Sequence, residues 1–360
     1  MTTNPKSTTV AGDDVQSDEA ELRFLGPLIT VENVEDHIPL LAHVFGLEAR
    51  AIQQFEPTEV HGIWGVEGRG AGSVLLETGE SRVGVRLIQF GGTGADEVSD
   101  RRRPALGDHP GRELRFLTRD FELARHVVER SGFAFRSVSR FSAPGLGRFT
   151  EARLAGPDGL TYAVLRMHDQ AMERWVRISD RLFGELLAVA IPVADLPLAA
   201  AFYDLIGLQR VTTGPTPASS SRVAISDGVE ISDGADPGEA VTDELPVVEE
   251  TSNPDAEEVL SFGSEPRAPL LTLVPIVAGP IVGTSATLEE SLVKRRGVVA
   301  LRFQSASIEP TRRKLWSAEG QSTGARVLAL GRGILEPMGA VESMLVRGPG
   351  GLLHQFLGRL

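Results

Sequence analysis

The chain has 360 residues, 41% of them hydrophobic and 24% charged, with no cysteine and a formal net charge of -13. That is apolar material for about two domains, and the lack of cysteine excludes a disulfide framework, thiolate metal sites and cysteine nucleophiles. The acidity is local, because twelve Asp and Glu and no Lys or Arg stand between Asp227 and Glu258; the remainder is nearly neutral, and short basic runs such as RRR at 101–103 do not predict nucleic-acid binding.

In chain order, residues 1–21 are polar and lack an apolar leader, which predicts a disordered tail and a cytoplasmic chain. No run of 18 apolar residues follows, so no membrane span is expected. From residue 22 one phrase recurs four times: a short apolar strand, a polar cap, a helix of about three turns and a closing glycine. Its limits are Val34 to Gly46, Phe121 to Gly132, Leu196 to Gly207 and Ile308 to Gly320. Strand-like stretches separated by turns come after each helix, in the first copy VHGIWGVEG, AGSVLLETG and RVGVRLIQF. Each unit therefore reads as βαβββ, and the fold class is α+β. Units two and four close on similar phrases, GPDGLTYAVLRM and GPGGLLHQFLGR. Pairing neighbours gives a first domain over 22–170, a connector helix over 171–183 and a second domain over 184–360. An acidic, Pro- and Ser-rich insertion interrupts the latter at about 214–256 and is expected to lie outside its core.

Four βαβββ units, with VADLPLAAAFYDLIGL and a GPDG turn before a last strand, resemble the vicinal oxygen chelate superfamily, which includes glyoxalase I, extradiol dioxygenases and bleomycin-resistance proteins. The resemblance implies two half-barrels, each built from a pair of units around a concave cavity. It also implies metal-ligand positions on the first and last strands of each unit, usually His or Glu, where two substrate oxygens chelate a divalent ion. Aligned by strand phrase, these positions fall on Gly26, Arg86, Glu113 and Ala163 in the first domain. In the second they fall on Ala188, about Thr272, Val298 and Gln355. Such a set does not make a metal centre, and neither metal nor cofactor is expected.

The same positions suggest other chemistry. Arg86 and Glu113 are expected to face one cavity from adjacent strands, with Arg115 on the face of Glu113 by the two-residue strand period. A carboxylate base beside a guanidinium suits proton transfer next to a developing oxyanion; a salt bridge filling a vacated site suits the same residues. His61, in an apparent strand with Glu59 and Trp64, is a second candidate base, while Trp64, Gln355 and Arg302 are candidate substrate contacts. His354 should point away from the cavity if Gln355 points in. The expected function is a metal-independent lyase or isomerase acting on a lipophilic or aromatic oxygenated small molecule. Two alternatives stand beside it: a non-catalytic small-molecule-binding protein, and a metal-dependent dioxygenase or glyoxalase with displaced ligands. The expected partner is a small organic molecule, with no nucleic acid and no membrane, and a homo-oligomer is left open.

Overall fold

The computed structural model describes residues 22–78, 83–91, 112–143, 147–168, 181–210, 260–263, 270–275, 287–294 and 296–360. The N-terminal tail, the acidic insertion and nearly all of the expected connector helix lie outside them. Unit one supplies β1 (Arg23–Thr30), α1 (Val34–Ile38) running on as a π-helical turn (Pro39–Val44), β2 (Glu48–Phe55), α2 (Pro57–Trp64), β3 (Ala71–Glu77) and β4 (Gly84–Phe90). Unit two supplies β5 (Glu113–Thr118), α3 (Phe121–Arg130), β6 (Phe135–Ala143), β7 (Gly147–Ala155) and β8 (Thr161–Met167). Unit three has β9 (Phe183–Val193), α4 (Leu196–Leu205), β10 (Gln209–Arg210), β11 (Leu260–Gly263) and β12 (Leu270–Pro275). After α5 (Leu288–Leu292), unit four has β13 (Gly297–Ser305), α6 (Glu309–Trp316), α7 (Ala318–Ser322), β14 (Arg326–Leu335), β15 (Gly339–Arg347) and β16 (Leu353–Arg359).

The helices start where side-chain acceptors stand ready. Asn33, Asp120 and Asp195 accept the backbone N–H of Glu35, Leu123 and Leu198 and so satisfy donors of the first turn. Gly46, Gly132 and Gly207 then stop the recurring helix of units one, two and three in left-handed backbone, at φ of 72°, 83° and 95°. The fourth unit departs from the expected spacing. Gly320 lies inside α7, where a Cβ would come within 2.3 Å of the Lys314 carbonyl oxygen, and Gly324 at φ 72° provides the stop.

The pairing of units also differs from the sequence expectation. One eight-stranded sheet runs β14-β15-β16-β13-β1-β4-β3-β2 and the other β10-β11-β12-β9-β5-β8-β7-β6. The first unit thus joins the fourth through β1 and β13, and the second joins the third through β5 and β9, both antiparallel. Hydrophobic alternation sets which face of a strand is buried, not which of several equivalent strands it meets, so neighbours in sequence were a poor guide to partners.

A single apolar core occupies the outer faces of both sheets and the helices on them. It joins Ile29, Leu87, Phe303 and Phe356 of the first sheet to Leu114, Phe116, Tyr162 and Val189 of the second. Phe45, just after the unit-one helix, stacks on Phe116 of the second sheet with centroids 4.2 Å apart. Asp158 of the GPDG turn accepts the Glu32 N–H at 2.9 Å and meets His37 Nε2 at 3.1 Å, which ties unit one to the second sheet. Tyr203 of α4 meets His354 of β16 at 2.9 Å in the reciprocal contact. Burial pushes the His354 imidazole down to about 3, so it is held neutral as a structural partner.

Candidate functional site

The inner faces of the two sheets are distinct. In the first sheet, Leu28, Ile88, Phe90, Ala300, Leu353 and Leu357 point inward together with Arg86, Arg302 and Gln355 two residues along their strands. This space is largely filled by the protein itself. The stretch VHGIWGVEG at 60–68, expected as a strand, instead falls largely in α2: Glu56 and Glu59 make a reciprocal cap, Pro57 opens the first turn, and Gly65 closes it in left-handed backbone. Val60, Ile63 and Trp64 insert among the inward leucines. The approach of α2 to β14 is backbone on backbone, since a Cβ on Gly331 would come within 1.8 Å of the Gly62 carbonyl oxygen. Gln53 of the edge strand β2 then reaches the other edge, donating to the Ile334 carbonyl at 2.9 Å and accepting the Glu336 N–H at 3.0 Å.

Two sequence candidates move accordingly. His61 lies exposed on α2, not on a strand, and its expected companion Glu59 is used in the helix cap. Trp64 is fully buried, edge-on to Phe55 and Phe90. The alternation that suggested a strand, V-x-G-x-W, is outweighed by the proline, cap and glycine signals that bracket it.

Within the first sheet, strand register brings Gly26, Arg302 and Gln355 into one row, with Arg86 beside Leu28. The unit-four member of the row is Arg302, not the expected Val298. Gly26 lets the Gly84 backbone take the place of a side chain: a Cβ there would meet the Gly84 carbonyl oxygen at 2.2 Å. Arg302 donates from Nη2 to the Leu25 and Gly84 carbonyls at 3.0 and 2.9 Å. Arg86 donates to Ser73 Oγ at 3.2 Å and to the Glu336 carbonyl. Gln355 donates to Ser343 Oγ, which in turn donates to the Ile63 carbonyl at the end of α2. Burial lowers the Arg86 pKa to about 10 against the opposing charge of Glu77. Arg302 is pushed down by burial and then by the charge of Arg86.

The expected pairing of Arg86 with Glu113 is not formed, because the two residues belong to different sheets. Glu113 does share a face with Arg115, as the strand period predicts, and two residues that sequence reasoning missed complete the group. Arg115 Nε donates to Glu113 Oε1 at 2.8 Å, and Arg153 Nε lies 2.9 Å from Glu113 Oε2. Glu151 closes the ring, 2.7 Å from Arg153 and 3.7 Å from Arg115. The signal was present in sequence: E-L-R at 113–115 and E-A-R at 151–153 place the same charge pair on two strands with the same period. Ala163 sits between them, in register with both Arg115 and Arg153, and its small side chain leaves room for the arginines to cross. Both glutamates are buried, whereas Arg115 and Arg153 keep 20% and 31% side-chain exposure. Burial disfavours the Arg115 charge, but Glu151 and Glu113 outweigh it and hold the guanidinium above its usual pKa. Around this ring the inner face is apolar, with Leu117, Ala163, Leu165, Phe149, Met167 and Leu187.

A divalent metal of the kind the resemblance implies does not fit either face. The rows offer Gly26, Arg86, Arg302 and Gln355 in one sheet and Arg115, Ala163 and Ala188 in the other. Among the described residues no three His, Asp or Glu side chains converge as a metal site requires.

No family model matches the chain, and no curated protein does. Solved structures do. Glyoxalase I from Zea mays superposes over 94% of this chain and 92% of its own, with 14% identity and a TM-score of 0.57. A variant of that enzyme gives 13% identity and a TM-score of 0.59, over 94% of this chain and 93% of the other. A putative dioxygenase from Bacillus subtilis subsp. subtilis str. 168 covers 94% of this chain and 85% of its own, with 10% identity and a TM-score of 0.51. At such identities the likeness is one of architecture, and the chain has the vicinal oxygen chelate fold in its tandem form.

Proposed function

We propose that this protein binds a small, largely apolar molecule with one or two oxygen functions on the inner face of the second sheet, as a non-catalytic binding protein. The observation that carries the reading is the closed ring of Glu113, Arg115, Glu151 and Arg153 within an apolar surround. Two carboxylates and two guanidiniums cancel, so the ring favours a neutral guest over an ion. The partly exposed N–H groups of Arg115 and Arg153 can donate to a hydroxyl or carbonyl oxygen, and the six apolar residues suit a lipophilic or aromatic body.

A metal-independent lyase or isomerase would need Glu113 as its base. Both oxygens of that carboxylate already face guanidinium nitrogens, which leaves neither turned freely toward a substrate proton. Binding is therefore better supported than proton transfer.

The probe that tests this is 2-naphthol, a flat apolar body with one hydroxyl and its own fluorescence. Titration should give saturable one-to-one binding, weakened about tenfold or more by Leu165→Asn, since a buried leucine contributes roughly 1.5–3 kcal/mol. Absence of saturation up to the solubility limit of the probe, or equal affinity in the variant, would remove the second sheet as the binding face.

A further inference from the structure

The inner face of the first sheet has a different charge tally from the second. Arg86 and Arg302 are each only 1% exposed. All their hydrogen bonds go to neutral groups, namely Ser73 Oγ and the carbonyls of Glu336, Leu25 and Gly84. Neither makes an ion pair with a described carboxylate. The acidic side chain whose charge reaches both is Glu77, which is half-buried, and burial raises its pKa despite Arg302 and the other arginines around it. Two guanidiniums against one carboxylate leave at least one positive charge uncompensated. Buried charges are normally paired, and a buried arginine without a counter-ion is strongly destabilising.

Orphaned atoms mark the same place. The Nε of Arg86, the Nε of Arg302 and the Oε1 of Gln355 are buried and have no hydrogen-bond partner, although buried polar side-chain atoms seldom lack one. Arg302 and Gln355 are register neighbours on β13 and β16, and Arg86 follows Gly84, which accepts from Arg302, by two residues on β4. The two unsatisfied guanidinium donors therefore lie on one inner face, Arg302 in register with Gly26 and Arg86 with Leu28.

We propose that this face is an anion site, in which Arg86 and Arg302 hold a small carboxylate where the fold commonly carries a cation. A carboxylate presents two oxygens to guanidinium forks, and its single charge closes the tally that Glu77 leaves open. A phosphate, at nearly two charges, would overshoot it. The site is separate from the neutral ring of the second sheet and does not depend on the ligand proposed there.

The test is thermal melting of the full chain in sodium acetate, sodium chloride and sodium phosphate at equal ionic strength. Acetate well above its dissociation constant is expected to raise the melting temperature saturably by about 5 °C or more over chloride. Arg302→Met should abolish that difference. Because loss of an arginine can also damage the fold, Gln355→Glu provides the opposite arm. It supplies a resident carboxylate beside Arg302, so it should raise the melting temperature in chloride and make the protein indifferent to acetate. Equal melting in acetate and chloride, a response to phosphate alone, or a lower melting temperature for Gln355→Glu would each overturn the assignment.

Discussion

Glu113→Gln is expected to destabilise the protein by about 3 kcal/mol in urea denaturation. Glu113 is the member of the ring that contacts both guanidiniums closely, Arg115 at 2.8 Å and Arg153 at 2.9 Å. Removing its charge leaves Glu151 alone to balance two arginines. Loss of one partner from a buried ion pair typically costs about 3–5 kcal/mol. The lower end applies here, because Arg115 and Arg153 keep 20% and 31% exposure and can recover some hydration. A structural role and a catalytic role separate cleanly in this experiment. If Glu113 were a working base, the isosteric amide would spare stability to within about 0.5 kcal/mol and instead suppress turnover by roughly 100-fold or more.

Trp64→Ala should be at least as damaging, at about 3–5 kcal/mol, the usual range for truncating a buried Trp or Phe. Trp64 is 0% exposed and anchors α2 against Phe55 at 4.9 Å and Phe90 at 6.3 Å. The helix contributes Val60 and Ile63 to the same cluster, so emptying the Trp64 site loosens the element that fills the first half-barrel. The check is the urea midpoint together with the slope of the transition. A stability unchanged by Trp64→Ala, with weakened ligand binding, would return Trp64 to the role of substrate contact that its sequence neighbourhood suggests.

Much of the architecture was readable from local chemistry. Asp120 and Asp195 cap helices where an acid precedes an apolar run, and GPDG and GPGG each lead into a last strand. Glu113 and Arg115 meet because residues two apart on a strand share a face. Gln355 points to the inner face and His354 away from it for the same reason. What failed was long-range. Nothing local to β1 distinguishes β13 from β5 as its partner, so the pairing of units was misassigned and with it the meeting of Arg86 and Glu113. At β1 a matter of volume decides instead, since the missing side chain of Gly26 admits the Gly84 backbone, whose carbonyl accepts from Arg302. Helix α2 was missed because a two-residue alternation in V-H-G-I-W was weighed above the proline, cap and glycine that enclose it. Glu151 and Arg153 could have been found by noticing that E-x-R occurs on two strands of one unit.

The two proposals share one claim: arginines on the inner faces of the sheets recognise small molecules without a metal. The most direct measurement is elemental analysis of the full chain purified without added metal, followed by 2-naphthol titration before and after prolonged chelation. Well under one equivalent of iron, manganese, zinc or nickel per chain is expected, with unchanged affinity for the probe. Close to one equivalent of a single metal, with binding lost on chelation and restored by that ion alone, would contradict the account.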